Sequence, residues 1–285
     1  MRKFRPASAL FVLLLFLLSG SCQRGTTLVQ TEAAAVTTLV AAENMDEYDV
    51  VWYTTSSVQA ASRPIFVDPN RPAVALTFDD GPSKYTARIC SILREYGGKA
   101  TFCVIGNRLQ DYTSYAKAAY DLGFEIVGHS WDHKNLSTLA DYQIEEELNR
   151  TQNEIRTVLG ANPKFFRPPY GAFNQSVKNV SEASGLAILM WSVDSRDWAS
   201  KDVDAIYSKI MNNVQDGSII LCHDIYESTA DAMARVIPAL VEAGYQLVTV
   251  SELLTIADKS VVAGKNYNHG RYTATTSADE TYDGE

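Results

Sequence analysis

Histidine and cysteine are both scarce in this chain, at four residues each out of 285. Cys22 falls in an N-terminal segment that reads as removable. That leaves Cys90, Cys103 and Cys222, an odd number that permits at most one bridge and excludes a disulfide-stapled scaffold; free buried thiols are the expectation. Long apolar runs are missing too. The stretch Ala9 to Leu18 would span about 15 Å as a helix, too short for a hydrocarbon core of ~30 Å. A basic surplus is also absent: the formal net charge of −9 argues against nucleic acid as a partner and against charge-driven binding to anionic membranes. No internal repeat is evident.

What is present divides the chain into four parts. Arg2, Lys3 and Arg5 followed by the short apolar run and small residues read as an export signal over residues 1–22. Ser19-Gly20-Ser21-Cys22 resembles a lipobox, which would make Cys22 a lipidated N-terminus and a membrane anchor; simple secretion is the alternative. Residues 23–70 read as a linker, 71–258 as the folded domain, and the polar residues 259–285 as a flexible tail.

Within 71–258, apolar strand-like runs (74–78, 100–105, 124–128, 165–167, 187–193, 218–222, 245–250) alternate with helix-like stretches. The clearest helix is Asp141 to Leu159, with Ile144, Leu148, Ile155, Val158 and Leu159 on one face. Others fit 85–96, 112–122, 203–214 and 230–243. This alternation predicts a parallel α/β sheet or barrel with its chemistry at the strand C-termini.

Three of the four histidines follow apolar runs. The first relevant run, Ala73 to Phe78, ends in Asp79-Asp80-Gly81-Pro82. Alternation on a strand would point the two carboxylates to opposite faces, so they can share a site only where the chain leaves strand geometry, and Gly81-Pro82 provides that departure. The plainer reading makes one aspartate a helix cap. His129 and His133 follow the run Phe124 to Gly128; i, i+4 spacing on a helical turn would place both imidazoles on one face. Two histidines and one aspartate, with positions left for water and substrate, suit a catalytic metal site. An isolated pair of this spacing would otherwise be two unrelated polar residues. His223 ends the run Ser218 to Cys222. Cys222 beside it invites a thiol nucleophile, but a cysteine in an apolar strand is ordinarily an inert small hydrophobe.

Five segments in order, Thr77 to Pro82, His129-Ser130-x-x-His133, Arg167-Pro168-Pro169-Tyr170-Gly171, Asp194-x-x-Asp197-Trp198 and Leu221-Cys222-His223-Asp224, make the chain similar to polysaccharide deacetylases of the NodB-like type, carbohydrate esterase family 4. The resemblance implies a distorted (β/α)7 barrel. It implies Asp80, His129 and His133 as metal ligands and Asp79 as catalytic base, held by Arg167. The backbone N–H of Tyr170 would be an oxyanion donor, His223 the general acid with Asp194 as its carboxylate partner, and Trp198 and Leu221 walls of an acetyl pocket. Lys134 departs from the family pattern, which often has proline after the second histidine. Taken singly, Arg167 would be a surface ion-pair residue, Pro-Pro-Tyr-Gly a turn and Trp198 a core aromatic.

The chemistry of amide cleavage fits this inventory, because a poor electrophile and a poor leaving group call for carbonyl polarisation, a base, an oxyanion donor and an acid. The resemblance therefore implies metal-dependent N-deacetylation of amino sugars in a cell-wall polysaccharide, peptidoglycan GlcNAc first. The intact Asp79-Asp80 pair favours this over muramic-acid-specific relatives, some of which have Asn at the position of Asp80. Deacetylation of muramic acid or chitin, an acetylxylan esterase on the same scaffold, and an inactive glycan-binding module are the alternatives. Zinc is the expected metal, with cobalt, nickel or manganese also suited to the ligand set.

Overall fold

The computed structural model describes residues 67–271. The export signal, Cys22, the linker up to residue 66 and the end of the tail lie outside the described residues.

Nine strands and eight α-helices are described. The strands are β1 (Ala73–Asp79), β2 (Thr101–Val104), β3 (Glu125–Gly128), β4 (Phe165–Phe166), β5 (Ala187–Leu189), β6 (Val193–Asp194), β7 (Ile219–His223), β8 (Gln246–Leu247) and β9 (Asn266–Tyr267). The helices are α1 (Lys84–Glu95), α2 (Thr113–Asp121), α3 (Asp141–Leu159), α4 (Gln175–Ala183), α5 (Asp197–Ser200), α6 (Val203–Met211), α7 (Glu227–Glu242) and α8 (Val250–Ile256). The strands run in the order β6-β7-β1-β2-β3-β4-β5-β9, with β8 also on β1, and the pairings between them are parallel.

One connection shows how the sheet curls. β5 lies near one edge and β6 is the other edge, yet only Met190, Trp191 and Ser192 join them. Leu189 and Val193 are four Cα steps apart and can be separated by at most about 14 Å. The two edges must therefore face each other, as in a barrel left open along one seam. This is the distorted (β/α) barrel that the resemblance implied. The apolar run 187–193, predicted as one strand, is divided because it crosses that seam.

The period-two alternation of β1 places Val74, Leu76 and Phe78 against the helices and Ala73 and Ala75 in the barrel interior. Small inward residues leave space, which Phe165, Leu189, Ile219 and, from α8, Leu253 and Leu254 fill at one end. At the other end the inward positions become polar: Thr77 and Asp79 on β1, and His223 on β7.

The tail expectation needs correction for residues 259–271. Asn266–Tyr267 pairs with β5, Tyr267 packs edge-on against Phe165 at 5.9 Å, and Arg271 pairs with Asp216 at 2.9 Å. The polar composition hid two anchoring residues, because a two-residue edge strand carries almost no periodic signal. At the other boundary, Val67 already packs on the interior core and the Asp68 N–H donates to Gln246 Oε1 at 2.8 Å.

Candidate active site

The C-terminal ends of β1, β3, β4, β6 and β7 open into a cavity of about 610 Å³ that holds the predicted residues. Asp79 is the last residue of β1 and points inward. Asp80 follows at φ 70, a left-handed conformation that turns its side chain back toward the same space. The next residue must be small: a Cβ on Gly81 would lie 2.3 Å from the Asp224 Oδ1 atom packed beneath it.

His129 and His133 arrive differently from the expectation. β3 ends at Gly128, and 129–133 is a loop rather than a helical turn, with Ser130 at φ 60 and His133 at φ 61. The rings still converge, with centroids 4.9 Å apart. Two devices hold the loop. The His133 N–H donates to Ser130 Oγ at 3.0 Å, and the buried Glu147 of α3 accepts from the Trp131 N–H at 2.8 Å and the Asp132 N–H at 3.3 Å. Lys134, the departure from the family pattern, donates to the other Glu147 oxygen at 3.0 Å.

The three predicted ligands offer atoms that all lie within 4.8 Å of one another. Asp80 Oδ1 is 3.4 Å from His129 Nε2 and 3.2 Å from His133 Nε2, yet it is buried without a hydrogen bond of sound geometry. Three ligand atoms this close, one of them buried without a sound hydrogen bond, fit a divalent cation at a point between them. His129 Nδ1 lies 2.8 Å from the Arg167 carbonyl, which selects the Nδ1–H tautomer and leaves the Nε2 lone pair toward that point. Burial and the neighbouring His129 lower the His133 pKa, keeping it in the neutral form a ligand needs. Burial alone would raise the Asp80 carboxyl, but the adjacent imidazoles outweigh it and hold it at about 2.

Arg167 is fully buried and reaches from the end of β4 across the barrel interior to β1. One terminal nitrogen donates to Asp79 Oδ1 at 2.7 Å and Thr77 Oγ1 at 2.8 Å, and the other to the Met190 carbonyl at 3.1 Å. The ion pair occupies Asp79 Oδ1, while Oδ2 lies 3.8 Å from His129 Nε2, on the ligand side. Tyr170 sits at φ 61 in a turn closed by the N–H groups of Gly171 and Ala172. Its ring, 63% exposed, stands edge-on over His133 at 4.7 Å.

The partner of His223 is corrected by the structure. His223 Nδ1 lies 2.8 Å from Asp197 Oδ1, and the His223 N–H donates to Asp197 Oδ2 at 2.7 Å. Asp194, assigned that role from the sequence, instead accepts from the Arg196 N–H at 2.8 Å. The reason is register: β6 pairs with β7 so that Asp194 lies opposite Leu221, two residues short of His223, and the chain needs three more residues to reach that level. Asp197 is fully buried and also accepts from Thr229 Oγ1 at 2.7 Å. Burial alone would lower the His223 pKa; Asp197, with Asp79 and Asp80 nearby, reverses this and raises it to about 9. His223 is thus a protonated donor at neutral pH, with Nε2 free of the Asp197 bond.

Leu221 is buried and Trp198 is 40% exposed; both line the cavity beside His223, with Trp191 and Tyr226, which sequence reasoning passed over. Cys90, Cys103 and Cys222 are free and buried, and burial pushes each thiol well above 9, which removes Cys222 as a nucleophile.

The chain belongs to the polysaccharide deacetylase family, carbohydrate esterase family 4, whose polysaccharide deacetylase model matches residues 66–189. It is 40% identical over 188 residues to the peptidoglycan-N-acetylmuramic acid deacetylase PdaC of Bacillus subtilis, covering 66% of this chain and 40% of that relative. The solved structure of that deacetylase superposes with a TM-score of 0.65 at 39% identity, covering 67% of this chain and 94% of the solved one. A peptidoglycan-N-acetylglucosamine deacetylase of Bacillus cereus is 35% identical over 194 residues, covering 66% of this chain and 91% of the relative. A family 4 acetyl xylan esterase from Clostridium thermocellum, solved with a cobalt ion, gives a TM-score of 0.65 at 33% identity, covering 69% of this chain and 98% of the solved one. The chain thus spans well under half the length of the first of these relatives and nearly all of the second.

Proposed function

We propose that the protein removes N-acetyl groups from amino sugars of a cell-wall polysaccharide, with GlcNAc of peptidoglycan as the preferred residue. The observation that carries this reading is the pairing of Asp79, held by Arg167, with the Asp80, His129 and His133 cluster on one side and a protonated His223 on the neighbouring strand. A divalent cation held by Asp80, His129 and His133 would supply Lewis acidity, polarising the acetyl carbonyl and lowering the pKa of water. Zinc suits two imidazoles and a carboxylate, as do cobalt, nickel and manganese.

The chain's own groups do the rest. Asp79 accepts the proton of the attacking water, because Arg167 fixes the carboxylate and occupies only one of its oxygens. The Tyr170 N–H receives the developing oxyanion; a donor of this kind is worth about 3 to 4 kcal/mol. Trp198 and Leu221 wall the acetyl methyl. His223 protonates the departing nitrogen, and Asp197 keeps it charged for that step. Deacetylation of muramic acid is the second reading, favoured by the similarity to the Bacillus subtilis enzyme, and the intact Asp80 speaks for the first.

Acetate release from chitooligosaccharides, peptidoglycan and acetylated xylan, before and after chelation and metal addition, tests the reading. Chelator-sensitive release from the amino-sugar polymers is the expected result, and release from xylan alone would replace the deacetylase with an esterase. Asp79→Asn should keep metal and lose turnover, whereas His129→Ala should lose both; metal retained in the latter would overturn the ligand assignment.

Export follows from the same reading, since the polymer lies outside the membrane. Arg2, Lys3, Arg5, the apolar run and Cys22 support a lipid-anchored protein at the outer face of the membrane. Metabolic labelling with a fatty acid should mark the wild type and not Cys22→Ala; an unlabelled wild type would leave simple secretion.

A further inference from the structure

Asp79, Asp80 and Asp194 line the cavity, and Arg196 lines one edge of it. Arg196 immediately precedes α5 and Lys201 immediately follows it; both are exposed, and both take left-handed backbone, at φ 56 and φ 48. The Arg196 guanidinium lies over the Trp198 ring, 4.6 Å from its centroid, and the Lys201 ammonium over the Tyr226 ring at 5.1 Å. Both rings line the cavity. Among the described residues neither cation is within ion-pair distance of a carboxylate.

A cation resting on a ring is ordinary surface packing when it stands alone. Here two flank one four-residue helix whose own Asp197 holds His223 and whose Trp198 faces the cavity. Stacking restrains the charged head through the ring face and leaves its N–H donors free in other directions. A side chain already restrained loses less entropy when an anion arrives. In a chain of formal charge −9, two cations beside the cavity also favour the approach of an anionic substrate.

The geometry points to a cationic rim, Arg196 and Lys201, that receives a carboxylate carried by the glycan beside the sugar being deacetylated. This rests on the deacetylase reading and narrows its substrate class to an acidic amino-sugar polymer. Chitin has no carboxylate. Peptidoglycan has two sources: the lactyl carboxylate where the stem peptide has been removed, and the acidic residues of the peptide where it remains.

The test compares the metal-loaded wild type with Arg196→Gln, Lys201→Gln and the double variant on three substrates: a neutral chitooligosaccharide, peptide-free glycan strands with free lactyl groups, and peptide-bearing strands. The readout is the ratio of kcat/KM on each anionic strand to that on the chitooligosaccharide, at low salt and at about 0.3 M salt. The expected result is a ratio about tenfold lower in the double variant, carried by KM, with the wild-type salt dependence of the ratio lost. The strand that shows the fall identifies the carboxylate. An unchanged ratio, or equal losses on all three substrates as a structural role would give, overturns the rim. Calorimetric binding of the same strands separates the two readings. If the wild type releases no acetate from any substrate, the deacetylase reading fails; weaker binding of anionic strands by the double variant then still supports the rim, and equal binding overturns it.

Discussion

Asp194 and Asp197 belong to one short segment and differ by three positions, yet only one of them governs the charge on His223. A general acid must be protonated to act, so activity holds below its pKa and falls above it. With Asp197 beside it, the His223 pKa is raised to about 9; a cation bound at Asp80 would offset the share of that rise owed to Asp79 and Asp80. Asp197→Asn removes the largest raising influence and should move the alkaline limb of the kcat profile down toward the ordinary histidine value of about 6.5. Asp194→Asn should leave the limb in place. A limb that moves with Asp194 and not with Asp197 would reverse the assignment. The sequence motif contained both aspartates and no means of ranking them, because the ranking depends on the pairing of β6 with β7. Asp80 was more readable. Two adjacent carboxylates can share a site only off the strand, and the positive φ of Asp80 is that departure.

At the scale of elements, α3 was legible to the residue, since nineteen residues of amphipathic pattern leave little ambiguity. Its part in the site was not. Glu147 looks like one more solvent-facing acid in a polar helix, but it is 4% exposed and ties down the loop between the two histidines. α3 can come that close because Gly106 has no side chain: a Cβ there would lie 2.7 Å from the Trp131 ring and 3.0 Å from Thr151 Oγ1. Glu147→Ala leaves two backbone donors without their acceptor, and metal affinity should fall by about tenfold or more in chelator competition. Glu147→Gln, which keeps an acceptor, should recover part of it. Unchanged affinity in the alanine variant would confine Glu147 to general stability. The helical spacing of His129 and His133 was a misleading guide to the right pair, because a loop held from outside can converge two rings as well as a helical turn does.

For the molecule as a whole, the order of strands and helices was readable from alternating runs, and the barrel only from family resemblance, because curling depends on a three-residue crossing with no periodicity. The end of the fold was misplaced for a related reason: β9 is too short to signal itself. A chain ending at residue 258 loses Tyr267 from the interior core and the Arg271–Asp216 pair. It should melt several degrees lower than one ending at 271, the consequence of roughly 1 to 3 kcal/mol of lost burial. Equal melting temperatures would restore the flexible-tail reading. The register of β1 on β7, in which Asp79 lies directly opposite His223, has a further consequence. The proposed base and acid are separated by one interstrand spacing, about 4.8 Å between backbones, set by main-chain hydrogen bonds that do not depend on side-chain identity. A loop that carries none of the proposed ligands or their supports can therefore be exchanged to alter which polymer is gripped, while the two proposed proton-handling groups keep their spacing.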